Sequence, residues 1–427
     1  MADGVVQLHD DGPGKKVDAA LLTVGGQSVY RQRVEVYAGE RLSMSLPNMA
    51  MDAAGRVRTS NPTTLFDGKI LGAEDTFKWD TKGTGTAAFA ANMITMSVTA
   101  GQYLVRQAKH WNPYFSGKPQ MIETTYINFA NESNVVKRVG YFSSSAVAPY
   151  SATLDGMWLE ADGTTYRLIC SNNGTETHNI PWTSWDNYSL ISSYDWSKFS
   201  VNEIDFLWLG GAALRLFLVV NGSFTLIHTI TNHAGTQDKL IVQSPNQPIR
   251  YEIRSSTGAG SMKAICSQVS SEGTTSEEGE ELSVYSAPLA CNTVGTIYAL
   301  KGVRKSATYR NIHVDISEFG ASIASASTDS GVLLLILNPT LSAPLTWAAN
   351  SRIEEGTVGA GQTITAGTGR ILAALPMNAS GAGATSIQAG LKSLPIDIDN
   401  TAGQIILAYQ PTTATQNVTG NISVTEY

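Results

Sequence analysis

The stretch that most constrains the fold of this chain runs from Glu203 to Ile230. Three β-rich runs, EIDFLWL, ALRLFLVV and FTLIHTI, follow one another there with little between them. Gly210-Gly211 separates the first two and Asn221-Gly222 the second pair. Asn-Gly suits a two-residue type I′ turn, because both central positions need positive φ. The stretch therefore predicts a three-stranded antiparallel meander. A second hairpin, MWLEADGTTYRLICS, turns at Asp162-Gly163, and QMIETTYINFA and KRVGYFS supply further strands. Helical periodicity is scarce along the rest of the chain.

The expectation is an all-β protein: a jelly-roll or lectin-like sandwich followed by a second β-sandwich, with a short N-terminal anchoring segment. Two compositional breaks set the boundaries. Ser43 to Arg58 has no consistent period, and SQVSSEGTTSEEGEEL is rich in Ser, Glu and Gly and poor in apolar residues. Such a run reads as an exposed linker. The expected parts are an N-terminal segment at 1–55, a sandwich at 56–266, an acidic linker at 267–282 and a C-terminal sandwich at 283–427. Beyond the linker, TIYALKGV, NIHVDISEFGASI, GVLLLILNP, GRILAALPM and GQIILAYQP are short runs spaced by turn residues, as a sandwich requires. No fixed-period repeat points to a propeller or solenoid.

Composition excludes some functions. The net charge of −7 argues against a broad nucleic-acid interface, which needs many cations facing phosphates. The longest apolar runs, such as Val332 to Leu337, are too short to span a bilayer as a helix. Neither a nucleic-acid nor a membrane partner is expected. Met1 to Asp11 carries no secretory signal pattern. Cys170, Cys266 and Cys291 lie far apart, which predicts free thiols and folding in a reducing cytoplasm.

No catalytic motif is present: the chain has no G-x-S-x-G elbow, no HExxH and no P-loop. GPGKK at Gly12 lacks the spacing of a phosphate loop, and GTGTAAF at Gly83 and GAGQTI at Gly359 each lack a third glycine. The six histidines, His9, His110, His178, His228, His233 and His313, are scattered and read as surface or core residues. Asp397 and Asp399 share a strand face but lack the glycine and distal glutamate of a calcium loop. A glycosidase carboxylate pair is defined by distance in space, and no constellation marks one here. No catalytic residue, no metal site and no cofactor is expected, and the protein is read as no enzyme. The aromatic run PWTSWDNYSLISSYDWSKF stands apart. Trp182, Trp185, Tyr188, Tyr194 and Trp196 lie among Ser, Asn and Asp, a mixture that suits glycan contact and equally suits a core cap or a subunit interface.

Several stretches, taken in order, resemble a family of tailed-bacteriophage virion proteins. GPGKKVDAALLTVGGQSVYRQRVEV looks like a leader found on such proteins, with Lys16, Val17, Val24, Gly25, Gly26, Tyr30 and Arg33 matching its pattern. NPTTLFDGKILGAEDTFKWD, SGKPQMI, KRVGYF, LLLILNPTLSAPLTW and TGNISVTEY are similar to later parts of the same proteins. The resemblance implies a virion structural protein: a head fibre, capsid decoration or tail fibre component, assembled in the host cytoplasm and incorporated into the particle. It implies other virion proteins as partners. A homo-oligomer, with a trimer favoured, is expected from closure of appendages around an axis. Val24, Gly25, Gly26, Tyr30, Arg31 and Arg33 are the candidate virion-anchoring residues. The alternative function is a carbohydrate- or host-receptor-binding module displayed on the particle, its partner a host surface glycan.

Overall fold

The structure, a computed structural model, describes residues 4–7, 16–24, 27–32, 51–53, 55–58, 60–144, 153–209, 213–231, 240–273, 279–324, 329–378, 393–413 and 416–427. The chain divides into two compact units, Met1–Asn48 and Met49–Tyr427. In the first, β1 (Gly4–Gln7), β2 (Lys16–Val24) and β3 (Gln27–Gln32) form an antiparallel sheet in that order. Val24 pairs with Gln27 and Leu21 with Tyr30. Of the candidate anchoring residues, Val24, Tyr30 and Arg31 lie on these strands, whereas Gly25, Gly26 and Arg33 fall outside the described residues.

The second unit is built from strands, and its described helices are single 3-10 turns. Among the described residues no helix is long and apolar enough to cross a membrane. The first fifteen strands are β4 (Pro62–Asp67), β5 (Trp79–Gly83), β6 (Thr86–Ala90), β7 (Met93–Val98), β8 (Tyr103–Ala108), β9 (Gln120–Ile127), β10 (Val135–Ser144), β11 (Leu154–Ala161), β12 (Tyr166–Asn172), β13 (Thr175–Pro181), β14 (Ser200–Phe206), β15 (Ala213–Val220), β16 (Ser223–Thr231), β17 (Ile249–Ser255) and β18 (Gly260–Glu272). They make two sheets. One has the order β13-β12-β11-β10-β17-β8-β5, and the other β16-β15-β14-β9-β18-β7-β6 with β4 also on β18. The chain crosses between sheets at β4 to β5, β5 to β6, β7 to β8, β8 to β9, β9 to β10, β13 to β14, β16 to β17 and β17 to β18, which makes the sandwich a jelly roll.

Period-two patterning explains why these runs sit as they do. Along β9, Gln120, Ile122, Thr124 and Tyr126 are buried and the residues between them are half-exposed. The inward faces of both sheets, including Ile122, Tyr141, Leu159, Ile204, Leu216 and Tyr251, form one core. At the turn between β15 and β16 both Asn221 (φ 51°) and Gly222 (φ 81°) adopt positive φ, as the Asn-Gly pair predicts.

The acidic linker expected at 267–282 is not a linker in its first half. Residues 267–272 complete β18, paired with β9 on one side and β4 on the other. Ser267, Ser270 and Ser271 are buried there. A small hydroxyl fits between packed sheets, and a strand paired on both sides satisfies its backbone. Composition alone registers only that the residues are polar. The segment 274–278 falls outside the described residues.

The remaining strands are β19 (Glu280–Tyr285), β20 (Leu289–Cys291), β21 (Tyr298–Lys305), β22 (Val314–Ile323), β23 (Ser330–Leu337), β24 (Thr346–Asn350), β25 (Ile353–Thr357), β26 (Arg370–Asn378), β27 (Gln404–Pro411) and β28 (Gln416–Glu426). Six of them form a sheet in the order β24-β25-β21-β27-β23-β26. The other four form a sheet around β28, with β19, β20 and β22 each pairing with it. Leu300, Phe319, Leu335, Leu407 and Ile422 join the two layers in a second core. The two sandwiches meet directly. Lys82 pairs with Asp399 at 2.6 Å, Lys109 with Asp397 at 3.1 Å, and Ile398 N–H donates to Asp80 at 3.0 Å.

Candidate functional site

Beside this junction lies a polar cleft of about 470 Å³. Its floor is organised by Asp155, at the start of β11. Asp155 Oδ1 accepts from the backbone N–H groups of Gln243 (2.8 Å) and Asn173 (3.3 Å). Oδ2 accepts from Ser244 N–H (3.0 Å) and Gln247 Nε2 (2.7 Å). One carboxylate thus shapes the loop that precedes β17. Burial nevertheless holds its pKa above the usual carboxylate value against those four donors. The next residue must be glycine. Gly156 sits at φ +125°, and a Cβ there would come within 2.4 Å of the Tyr141 carbonyl.

The second wall comes from the C-terminal sandwich. The 3-10 turn Ala307–Tyr309 leads into Arg310 and Asn311. Asn246 Nδ2 donates to Asn311 O at 3.0 Å, and Asn311 Nδ2 donates to Ser244 Oγ at 3.3 Å. Asn246 Oδ1 accepts from Tyr114 N–H at 2.7 Å, which ties the loop back to the first sandwich. Arg310 donates to Asn400 Oδ1 (3.0 Å) and to the Ser144 carbonyl. Its guanidinium lies 5.5 Å above the Trp111 ring, and Lys305 Nζ lies 5.7 Å from the same ring. Burial, then neighbouring Arg250, draws Arg310 down to about 10. Gln247 Oε1 and Trp111 Nε1 are buried without a hydrogen-bond partner. The lining is rich in amide and hydroxyl groups beside an indole and holds no nucleophile–base pair. Such a surface offers hydrogen-bond donors and acceptors beside an aromatic face.

A second cluster lies on the outer face of the sheet that contains β14. Glu203 and Asp205, two residues apart on β14, point the same way, and Glu123 on β9 is paired in register with Glu203. Arg58 Nη2 lies 2.9 Å from Asp205, and Arg215 pairs with Asp205 and donates to the Met51 carbonyl. Burial, then the charges of Asp205 and Glu123, pushes Glu203 up to about 8. Glu203 and Asp205 are 1% and 0% exposed, so no substrate reaches them in this arrangement. A third group, at an apolar cavity, brings Ser393 Oγ to 3.5 Å from His313 Nδ1, with His313 Nε2 3.0 Å from Asp315. Nδ1 is 2.6 Å from the Trp111 carbonyl, an acceptor that fixes a proton on that nitrogen. His313 therefore cannot take the Ser393 proton there.

No known family's sequence pattern matches the chain, and no curated protein does. Solved structures resemble about half of it. The Emp47p carbohydrate recognition domain is 11% identical, with 49% of this chain and 96% of that chain covered and a TM-score of 0.34. The Bacillus licheniformis beta-glucanase is 13% identical, with coverages of 51% and 100% and a TM-score of 0.33. Arcelin-5, a lectin-like defence protein from Phaseolus vulgaris, is 10% identical, with coverages of 50% and 99% and a TM-score of 0.34.

The aromatic run singled out in the sequence packs onto the end of the first core. Trp185 and Trp196 are each 2% exposed, and Trp182, Tyr188 and Tyr194 pack half-buried beside them. Trp196 stacks on Tyr166 at 4.6 Å, Trp182 meets Tyr188 edge-on at 5.2 Å, and Tyr194 meets Trp196 at 4.8 Å. These rings spend much of their surface on one another. Asp397 and Asp399 serve the inter-sandwich ion pairs above, and His228 sits 3.0 Å from Asp186. Among the described residues no cluster of three or more His, Cys, Asp or Glu has the arrangement of a metal site. The cleft residues Asp155, Gln247, Arg310 and Asn311 were not foreseen. They come from three distant parts of the chain, and none carries a local signature.

Proposed function

We propose that this protein is a non-catalytic carbohydrate-binding module, with the cleft organised by Asp155 as its glycan site, carried on a phage particle. The observation that supports binding is the cleft itself: amides and hydroxyls from two sandwiches, held in place by a fully engaged carboxylate beside an indole. The ordered series of stretches in the sequence supports the virion setting. The two roles are compatible, because a particle appendage is both built in and adhesive.

Binding is tested on a glycan array with the wild-type protein and with Asn311→Ala and Gln247→Ala. A saccharide bound by the wild type and lost in both variants, each with an unchanged β-rich circular dichroism spectrum, is the expected outcome. Binding that survives both substitutions places the site elsewhere. The setting is tested by deleting residues 2–40. The expected product folds and no longer enters particles, and normal incorporation removes the case for an N-terminal anchor.

A further inference from the structure

The two charged residues that line the cleft, Asp155 and Arg310, are not paired with each other. Asp155, its one acidic lining residue, already accepts four hydrogen bonds. Arg310, its one cationic lining residue, forms no ion pair among the described residues. Its observed hydrogen bonds go to neutral oxygens, those of Asn400 and the Ser144 carbonyl. A guanidinium has five N–H donors, so most of its capacity is uncommitted. Lys305, 1% exposed and 5.7 Å from the Trp111 ring, likewise has no carboxylate bonded to it among the described residues. The next cation, Arg250, is paired with Glu252.

We infer that the saccharide recognised by this cleft carries an anionic substituent, a carboxylate or a phosphate, and that Arg310 selects it. The inference rests on the reading of the cleft as a glycan site and adds the ligand's class. A partly desolvated cation with no carboxylate bonded to it is costly, and an anionic ligand supplies that direct partner. The planar fork of arginine matches the two oxygens of a carboxylate or phosphate. Stacking over Trp111 and the bonds to Ser144 and Asn400 hold that fork in place before a ligand arrives. Burial lowers the pKa of both Arg310 and Lys305 more than the nearby carboxylates, Asp155 and Asp315 respectively, raise it, and a bound anion would raise both.

The test is calorimetric titration of the full chain with four probes: digalacturonate, its neutral dimethyl ester, glucose 6-phosphate and glucose. At least a tenfold preference for the acid over its ester is expected, and Arg310→Gln should reduce that ratio to near one. A preference confined to glucose 6-phosphate over glucose supports the inference and assigns the anion as phosphate. Equal binding of charged and neutral members by the wild type overturns the inference and leaves the glycan reading standing. No binding of any probe, together with a blank glycan array, overturns both. If Arg310→Gln fails to fold, Arg310→Lys carries the test: it keeps the charge and loses the fork, so the ratio should fall, and an unchanged ratio refutes the role.

Discussion

Substituting Glu203 by Gln should stabilise the protein at neutral pH and do little in acid. Glu203 is 1% exposed, and burial with neighbouring Asp205 and Glu123 lifts it to about 8 from an ordinary 4.5. In the unfolded chain the carboxyl ionises near 4.5, whereas in the folded protein it stays protonated until about 8. The unfolded state therefore binds fewer protons across that window, and stability falls as pH rises through it. At 1.36 kcal/mol per pH unit, the loss reaches about 4 kcal/mol by pH 7.5. Glutamine keeps the shape and has no proton to lose, so its stability advantage should grow from near zero at pH 4 to a few kcal/mol at pH 7.5. The assay is urea unfolding of both proteins at half-unit pH steps, and the quantity followed is the difference in midpoint. A difference that stays flat from pH 4.5 to 8 would refute the reasoning. It would mean that Glu203 is ionised in the folded protein and compensated by Arg58 and Arg215.

Three further outcomes follow from the same structure. His110 is half-buried with its Nδ1 shut off from solvent and unbonded, and desolvation draws it down to about 4 from 6.5, so it destabilises the fold as pH falls through that interval; His110→Asn should flatten this acid limb in the same titration, and an unchanged limb counts against it. Gly156→Ala should cost about 2–4 kcal/mol through strain at positive φ and collision with the Tyr141 carbonyl, and a midpoint within error of wild type would contradict that placement. Of the cysteines, Cys266 is exposed, whereas burial pushes the Cys170 thiol up to about 12 and Cys291 to about 11; a thiol reagent at pH 8 should label one cysteine promptly, and prompt labelling of three would show that both cores open.

The all-β class was legible because it rests on local signals. Asn221-Gly222 states its turn, and β9 alternates residue by residue. Asp162 was legible for a similar reason: its carboxylate caps the N–H groups of Thr164 and Thr165 within the same turn. The run from Ser267 misled because burial of serine in a doubly paired strand leaves no compositional trace. The cleft was illegible for a different reason. Asp155, Gln247 and Arg310 are ordinary residues in sequence, and only the docking of two sandwiches brings them to one place. Glu203 and Asp205 lie in between: their shared face could be read from the strand, but not the arginines that close over them.

The arrangement around β28 also governs the order in which this protein can be made. β19, β20 and β22 all pair with a strand that begins roughly ninety residues after β22 ends. At about 5–20 residues per second, a ribosome needs roughly 5 to 20 seconds to cover that gap. During this time Ile316 and Phe319 have no sheet to enter. The first sandwich, closed by β18, is already complete when the wait begins. The nascent chain therefore passes through a stage in which one finished module trails an open, apolar, unpaired one. A chaperone that holds nascent chains would meet it there, and slow codons between β22 and β28 would lengthen the exposure.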